Sequence, residues 1–283
     1  VYPEMARGNR LNADCVVRYV LNVPGHLGGD RTYPPGEMVW AYSQQLADLC
    51  ERCDGVLHMP VIDQNVFHPV EGQARRGAVF YAAKFQADHG QKVFGLPDGA
   101  IEITRGQPDS QTPAEIARLL QSAEVFYCFE NTALAIEAVL CGCPAVFMPN
   151  PYLDKPISLN ELGWDGFAWG NEAADVERAR ATVPQGQANY ARTVATFFEQ
   201  FHRFVEATQA HAAAISRGRS TAGETADMTD ALAANRPAVT LFNSRQVAAE
   251  IRGRKSWQFH EWFRLVRALN AVALRTILGG FRR

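Results

Sequence analysis

Short apolar runs alternate along the first 150 residues with segments whose apolar positions fall three or four residues apart. The runs have the length of buried strands, and the intervening segments have the spacing of amphipathic helices. Strands that alternate with helices are typical of an α/β fold with parallel sheets. The predicted strands lie at 38–43, 55–62, 77–85, 100–106, 124–129 and 144–149, and the predicted helices at 11–21, 44–53, 113–123 and 132–141.

A polar segment at 63–77 separates two groups of predicted elements. Pro69 and Gly72 interrupt it, as in a connection between domains. We therefore predict an N-terminal α/β lobe at 1–70, a Rossmann-like domain at 71–185 and a helical region at 186–283. The opening Val1-Tyr2-Pro3 resembles the end of a strand. About 70 residues are few for a doubly wound lobe, so either preceding residues complete it or the chain is a lobe of a larger assembly.

The helical region contains three kinds of segment. At 187–215 aromatic and aliphatic residues recur every three or four positions, which predicts a long amphipathic helix that packs back across a domain face. Small and polar residues at 216–235 predict a flexible linker. The segment 255–278 predicts an apolar helix with a basic stripe formed by His260, Arg264, Arg267 and Arg275.

The charge is unevenly distributed, although the formal net charge is only −2. Residues 252–283 contain eight Arg or Lys and one acid, Glu261. We expect 255–283 to meet an anionic membrane surface as an interfacial helix, or else to dock on its own domain or a partner subunit, with a solvated basic helix as the remaining alternative. Its aromatic residues do not alternate with cations, so nucleic-acid binding is not predicted.

Cysteine usage and hydropathy bear on the compartment. The six cysteines form no dense framework, and three of them lie in apolar runs that suit reduced thiols. Cys50 and Cys53 form a CxxC without the second pair that a zinc site needs. No apolar run approaches the ~20 residues of a membrane span. We predict a cytoplasmic protein, peripheral on the inner face of the membrane if 255–283 binds lipid.

The strongest candidate chemistry lies in ENTALAIEAVLCGCPAVF, residues 130–147. A strand ending near Phe129 leads into a helix that Asn131 or Thr132 can cap, and the free N–H groups of such a helix start attract phosphate. This turn lies where open α/β sheets bind ligands. Glu137 follows within the helix, where its carboxylate can accept hydrogen bonds from a ribose diol. Solvated helix carboxylates are the alternative for Glu130 and Glu137.

This segment resembles the donor site of GT-B glycosyltransferases, in which an acidic motif is followed by E-A-x-x-C-G-x-P-V-V. The resemblance implies two Rossmann-like units, ribose binding by Glu137, and a pyrophosphate at the backbone of Asn131, Thr132, Ala133 and Leu134. Six residues separate Glu130 from Glu137 where the family has seven, which weakens the assignment of Glu130 to the donor sugar. VIDQNVFHP at 61–69 is similar to the family's interdomain stretch.

The resemblance also assigns cations and an acceptor-side loop. Lys84 and Arg105 stand where the family places cations against the donor diphosphate and the nucleobase pocket, with plain surface cations as the alternative. The loop PGHLGGD at 24–30 provides Gly28 and Gly29 for close ligand approach. His26 or Asp30 is a candidate base for an acceptor hydroxyl, and a structural role is the alternative. The candidate catalytic residues are therefore His26, Asp30 and Glu130.

The predicted function is transfer of a sugar from a nucleotide-diphosphate sugar to a glycan or lipid-linked acceptor in bacterial surface polysaccharide synthesis. We expect no cofactor and no metal, because GT-B enzymes generally use none and the sequence has no Asp-x-Asp motif. A nucleotide-sugar epimerase or hydrolase of the same fold is one alternative. A non-catalytic nucleotide-sugar or sugar-binding lobe of a larger assembly is the other.

Overall fold

A computed structural model describes residues 7–9, 12–26, 28–106 and 108–223, with the side chains of 218–223 left aside. The strand end at Val1-Tyr2-Pro3, the helix at 255–278 and most of the linker at 216–235 lie outside these residues. Two parallel sheets organise the described chain. The protein is therefore an α/β structure of the Rossmann-like kind, as the alternating pattern predicts.

The first sheet has three parallel strands in the order β1-β2-β3. These are β1 (Val17–Val20), β2 (Met38–Ala41) and β3 (Gly55–Val56), and helix α1 (Gln44–Ala47) follows β2. The predicted helix at 11–21 is wrong, because β1 occupies its second half. The helical spacing arose because Arg18 is buried in the strand beside Glu37, so a charged residue stands at a core position. Helix α1 and strand β3 are also shorter than predicted.

The second sheet has five parallel strands in the order β5-β4-β6-β7-β8. Its strands are β4 (Ala78–Tyr81), β5 (Ile101–Glu102), β6 (Val125–Cys128), β7 (Ala145–Phe147) and β8 (Phe167–Trp169). The order reverses between β4 and β6, which makes a topological switch point at that place. The helices are α2 (Ala83–Ala87), α3 (Pro113–Ser122), α4 (Ala133–Leu140), α5 (Leu159–Leu162), α6 (Ala173–Ala181) and α7 (Val183–Gly223).

Local sequence signals set the helix ends around this sheet. Thr112 and Glu115 form a reciprocal capping box at the start of α3. At the end of α4, Gly142 adopts a φ of +84°, where a Cβ would lie 2.5 Å from the Arg75 guanidinium. Arg75 donates to the carbonyls of Leu120, Ala123 and Cys141 and thereby satisfies the ends of both helices. Glycine is therefore required by both the backbone conformation and the space.

Helix α7 packs against both sheets. Tyr190 is fully buried in the core of the second sheet, and its hydroxyl accepts a hydrogen bond from the Ile62 N–H at 2.9 Å. Farther along, Phe197 joins the core of the first sheet, and Phe204 meets Trp40 edge-on at 5.1 Å. The amphipathic helix predicted at 187–215 is thus present. Residues 216–223 continue it, so the linker prediction is wrong for that part.

A second connection joins α1 to the segment before and within α5. The Glu161 carboxylate accepts a hydrogen bond from the Gln44 N–H at 2.8 Å, and the Gln45 side chain donates to the Pro156 carbonyl at 2.9 Å. The Ser43 hydroxyl, which also caps α1, donates to the carbonyl of Ile157.

Among the described helices, none combines the length and apolar character needed to cross a bilayer.

Candidate functional site

The candidate site lies at the carboxyl ends of β4, β5 and β6, around the switch point of the second sheet. In a doubly wound sheet the loops at this place diverge to opposite faces and leave a crevice. The strand ends bring four regions together here: the start of α2 after β4, the segment after β5, the turn after β6 and the first half of α4. Most of the residues assigned to donor binding belong to these regions.

Glu137 and Arg105 form an ion pair at this crevice. The Arg105 Nη2 atom lies 2.5 Å from the Glu137 Oε2 atom. The Glu137 side chain is only 7% exposed, whereas that of Arg105 is 33% exposed. Burial raises the pKa of the Glu137 carboxyl, and the charge and hydrogen bond of Arg105 oppose this rise. A buried carboxylate is thus held beside a cation that has access to solvent.

Glu130 binds the start of α2. Its Oε2 atom accepts hydrogen bonds from the N–H groups of Lys84 at 2.7 Å and Phe85 at 3.2 Å. The side chain is buried, and burial raises the pKa of its carboxyl despite these two bonds and the charge of Lys84. The Lys84 side chain is exposed. Glu130 therefore positions Lys84 at the crevice, a connection that the sequence did not suggest.

The turn before α4 follows the predicted capping. Thr132 is the N-cap, and its hydroxyl accepts a hydrogen bond from the Leu134 N–H at a long 3.3 Å. Such a long bond is weak enough to be exchanged for a phosphate oxygen. Leu134 is fully buried, and Ala133 is half-buried. The Asn131 side chain bonds to the backbone of Lys155 and Ile157, so it holds the loop after β7 against the turn.

Tyr81 is a member of the site that the sequence analysis missed. It is the last residue of β4 and is half-buried. Burial raises the pKa of its phenol, the nearby charge of Glu130 raises it further, and Arg105 lowers it. Tyr81 therefore lies within the electrostatic reach of both groups. Its position at the carboxyl end of a parallel strand is the signal that could have identified it.

The glycine-containing loop after β1 bonds to the segment that precedes β1. Gly28 accepts a hydrogen bond from Arg7, and the Asp30 carboxylate accepts one from the Gly8 N–H at 2.5 Å. His26 and Gly28 are exposed, and Gly29 is half-buried. Within the described ranges, no hydrogen bond or ion pair joins this loop to the second sheet. No hydrogen bond or ion pair among the described residues links His26 or Asp30 to Glu130.

A buried histidine that the sequence analysis also missed follows β3, where the first sheet meets α7. His58 is 1% exposed, and its Nδ1 atom lies 3.3 Å from the Tyr42 carbonyl oxygen. The backbone N–H of His58 donates a hydrogen bond to the Gln200 side-chain oxygen of α7 at 2.8 Å. Burial lowers the pKa of the imidazole to about 4. His58 is therefore neutral at physiological pH and belongs to the junction of the first sheet with α7.

The cysteines show no feature of a reactive thiol. All six are free, and burial raises the pKa of Cys50 to about 11 and that of Cys143 to about 12. A thiol with a raised pKa is a poor nucleophile and a poor metal ligand at neutral pH. Across the part of the chain that the structure describes, no three His, Cys, Asp or Glu side chains gather as a metal site.

The described geometry suits an anionic ligand that carries vicinal hydroxyl groups. Lys84, Arg105 and the start of α4 provide positive charge and N–H donors, and Glu137 provides an acceptor for hydroxyl groups. In comparisons with known proteins, no protein-family model and no curated protein sequence matches this chain. The case for its function therefore rests on its own residues.

Proposed function

We propose that this chain is a GT-B-type glycosyltransferase that takes a sugar from a nucleotide-diphosphate sugar and passes it to a glycan or lipid-linked acceptor. The observation that carries the proposal is the buried Glu137 beside Arg105 at the switch point of the second sheet. The similarity of residues 130–147 to the GT-B donor motif supplies the ligand class. The sheet order and the helix ends supply a physical reason for binding there.

Glu137 is the proposed ribose ligand. A carboxylate accepts two hydrogen bonds from vicinal hydroxyls, and in a buried position these bonds are stronger than in water. One Glu137 oxygen is engaged by Arg105 in the structure. We expect donor binding to move the half-exposed Arg105 toward the diphosphate, so that the carboxylate becomes available to the ribose while the guanidinium stays paired with an anion.

The diphosphate is proposed to lie between Lys84, Arg105 and the start of α4. Two cations and the N–H groups of a helix start stabilise an anion, and they stabilise it more as negative charge develops on the leaving group. In the reaction, the acceptor oxygen forms a bond to the anomeric carbon. The bond from that carbon to the phosphate oxygen breaks, and the nucleoside diphosphate leaves with the bonding electrons.

The proton of the acceptor hydroxyl requires a base, for which His26, Asp30 and Glu130 are the candidates. Glu130 is at the crevice but is occupied with the start of α2. His26 and Asp30 lie in the loop after β1, on the first sheet. In this proposal the loop meets the acceptor only when donor and acceptor occupy the space between the sheets. The basic segment 255–283 is proposed to hold the protein at an anionic membrane with lipid-linked acceptors.

A second candidate function is donor binding without turnover, within a larger assembly. The specific observation in its favour is that no hydrogen bond or ion pair among the described residues joins His26 or Asp30 to the second sheet. Both functions predict nucleotide-sugar binding, and they differ in turnover. A donor consumed only when an acceptor is present supports the transferase, whereas tight binding without transfer or hydrolysis supports the binding lobe.

The test is a thermal-shift and calorimetric titration of the full chain with UDP-, GDP-, dTDP- and CMP-sugars. One nucleotide class is expected to stabilise the protein, and Glu137→Gln is expected to weaken its binding at least about tenfold through loss of the charged acceptor. Glu124→Gln is the matched control, because Glu124 is exposed at the opposite end of β6. The proposal fails if no nucleotide sugar binds, or if both variants bind as the wild type does.

Removal of 252–283 tests the membrane part separately. The truncated protein is expected to lose sedimentation with vesicles that contain anionic lipid, while its nucleotide binding is unchanged. Vesicles of neutral lipid alone are the control for charge. Equal sedimentation of the full and truncated chains would reject the membrane role without affecting the donor-site proposal.

A further inference from the structure

The outer edge of the second sheet carries a cavity that is separate from the switch-point crevice. It is a shallow depression, largely open to solvent, with a volume of about 440 Å³, and it is lined by Trp164, Trp169, Asp175 and Arg178. This volume lies within the range of ~300–1,000 Å³ typical of small-molecule sites. Strand β8 is one of the two edge strands of this sheet, on the far side of β6 and β7 from the switch point between β4 and β6. The cavity therefore belongs to a different part of the protein.

The walls of the cavity are held by hydrogen bonds. Arg178 donates from Nη1 to the Trp164 carbonyl at 3.2 Å and from Nη2 to the Phe167 carbonyl at 2.9 Å. Trp164 follows the end of α5, in a turn closed by the Phe167 N–H at 3.0 Å. Gly166 continues this turn with a φ of +83°, and a Cβ there would lie 2.8 Å from Val139. The Trp164 backbone and the guanidinium are thus fixed before any ligand arrives.

The polar groups of the cavity keep hydrogen-bonding capacity for a ligand. The Arg178 Nε atom lies 3.8 Å from the Asp175 Oδ1 atom, which is longer than a hydrogen bond. Both side chains are roughly half-exposed. A guanidinium has five N–H donors and a carboxylate has two acceptor oxygens. After the two bonds to backbone carbonyls, Arg178 retains donors, and Asp175 retains its acceptors.

The combination of these groups selects a ligand class. Asp175 offsets the charge of Arg178, which disfavours a phosphate or another anion. The two indoles offer apolar faces with negative charge at the ring, which attract C–H groups of slight positive charge. Trp164 is 40% exposed, so its ring is available to a ligand. A neutral molecule with one apolar C–H face and hydroxyl groups around its rim satisfies all of these groups at once, and a pyranose sugar has this form.

We propose that the cavity between Trp164, Trp169, Asp175 and Arg178 is a saccharide-binding site, with a pyranose ring against an indole and its hydroxyls on Asp175 and Arg178. The site is independent of the donor crevice and does not rest on the proposed transferase activity. The sugar can come from a free monosaccharide or from one unit of a glycan chain, and the two sources share this chemistry.

The test is an NMR titration of the full chain labelled with ¹⁵N at its five tryptophan indoles. The probes are methyl glycosides of glucose, galactose and mannose, and the corresponding trisaccharides. The resonances of Trp164 and Trp169, assigned with Trp164→Phe and Trp169→Phe, are expected to shift, with a Kd on the order of 1 mM for the best monosaccharide. Tighter binding of a trisaccharide identifies a glycan chain as the source, and equal binding identifies a single sugar.

Substitutions make the result specific. Trp164→Ala is expected to weaken binding at least about tenfold, whereas Trp164→Phe retains an aromatic face and most of the affinity. Asp175→Asn is expected to weaken binding about fivefold through loss of the charged acceptor. Glu177→Gln is the matched control on the same helix, because Glu177 pairs with Arg180 instead. If Trp164→Ala does not fold, the Asp175→Asn and Glu177→Gln pair decides the question.

The proposal is overturned if no saccharide shifts these two indoles, or if Asp175→Asn binds as tightly as Glu177→Gln. Glu137→Gln separates this proposal from that for the donor crevice. It is expected to lose nucleotide-sugar binding and to retain saccharide binding at β8. If Glu137→Gln loses both nucleotide-sugar binding and saccharide binding, the two sites are not independent. If it loses neither, the donor-site proposal is rejected and the saccharide proposal is unaffected.

Discussion

Each of the two sheets carries an arginine–glutamate ion pair, but the two pairs differ in how far they are exposed to solvent. We call the buried pair closed and the partly exposed pair open. In the first sheet, Arg18 and Glu37 are 7% and 9% exposed and share two hydrogen bonds of 2.6 and 3.0 Å. In the second, Arg105 and Glu137 share one bond, and the arginine is 33% exposed. In the closed pair, both side chains are buried and bond to groups of the protein. In the open pair, the arginine is accessible to solvent, so a ligand can replace one of the two partners.

Their surroundings explain the difference. Arg18 also donates to the Gly8 carbonyl at 3.0 Å and lies 5.6 Å from the centre of the Tyr33 ring. These contacts leave its guanidinium enclosed by the first lobe. Arg105 follows the two-residue strand β5 and extends toward α4 at the crevice. A buried ion pair is weak evidence for stability in general, so exposure and hydrogen bonding, rather than charge, separate the structural pair from the functional candidate.

The largest expected effect comes from breaking the closed pair. Glu37→Gln is expected to lower the free energy of unfolding by about 3–5 kcal/mol, because it leaves the Arg18 charge buried without its partner. Urea unfolding measures this loss. The double variant Arg18→Met, Glu37→Leu is expected to recover most of it, and nucleotide binding is expected to be unchanged throughout. A loss below about 1 kcal/mol in Glu37→Gln would show that the pair is not closed in solution.

The next largest effect is a loss of stability at low pH caused by the buried His58. His58 has a folded pKa of about 4 against an ordinary 6.5, so below pH 6.5 the unfolded chain binds a proton that the folded protein does not. This stabilisation, roughly 3 kcal/mol, is complete above pH 6.5 and is lost as the pH falls toward 4.

The Tyr42 ring centre lies 4.6 Å from that of His58, with the rings tilted by 40°. His58→Phe keeps an aromatic ring there and is expected to lose less stability between pH 7 and pH 4.5 than the wild type. His202→Gln is the control, because that histidine is half-exposed on α7 and pairs with Glu206. Urea midpoints at both pH values measure the difference. Equal pH dependence in His58→Phe and wild type would contradict the assignment to His58.

A smaller effect is expected from replacing the arginine of the open pair, Arg105, and it concerns ligand binding. Arg105→Gln should weaken nucleoside-diphosphate binding about 10- to 100-fold, which corresponds to ~1.4–2.7 kcal/mol, through loss of a charged contact to the diphosphate. Its free energy of unfolding should change by less than about 1 kcal/mol, because the arginine is partly solvated. Calorimetry and urea unfolding measure the two quantities. Arg118→Gln, on an exposed position of α3, is the control and should alter neither.

The smallest expected effect on stability comes from the acidic side of the open pair. Because burial raises the folded pKa of Glu137, the folded protein keeps a proton that the unfolded chain releases as the pH rises above about 4.5. As the pH rises above about 4.5, the free energy of unfolding of the wild type is therefore expected to fall relative to that of Glu137→Gln. At neutral pH the two should differ by less than about 1 kcal/mol, with the variant equal or more stable. A large destabilisation of Glu137→Gln would make Glu137 a structural residue like Glu37.

The sequence predicted much of the second sheet and less of the first. The helix at 113–123 and the strand at 124–129 agree with α3 and β6 because a capping box and a continuous apolar run set them locally. The helix predicted at 11–21 was wrong because Arg18 is buried in a strand by pairing with Glu37, nineteen residues away in the chain. Likewise, Glu130 bonds to the backbone at the start of α2, and its hydrogen bond from Lys84 joins residues that are 46 positions apart in the chain.

The sequence alone determined that the chain alternates strands and helices, that a capped helix starts after β6, and that Glu137 lies within that helix. Each of these follows from local spacing, propensity and capping. Only the tertiary structure decided that Arg105 pairs with Glu137, that Tyr81 lies within the electrostatic reach of Glu130, and that Trp164 and Arg178 share a cavity at β8. These relations depend on which strands become neighbours, and strand order is set by packing of the whole sheet and not by local sequence.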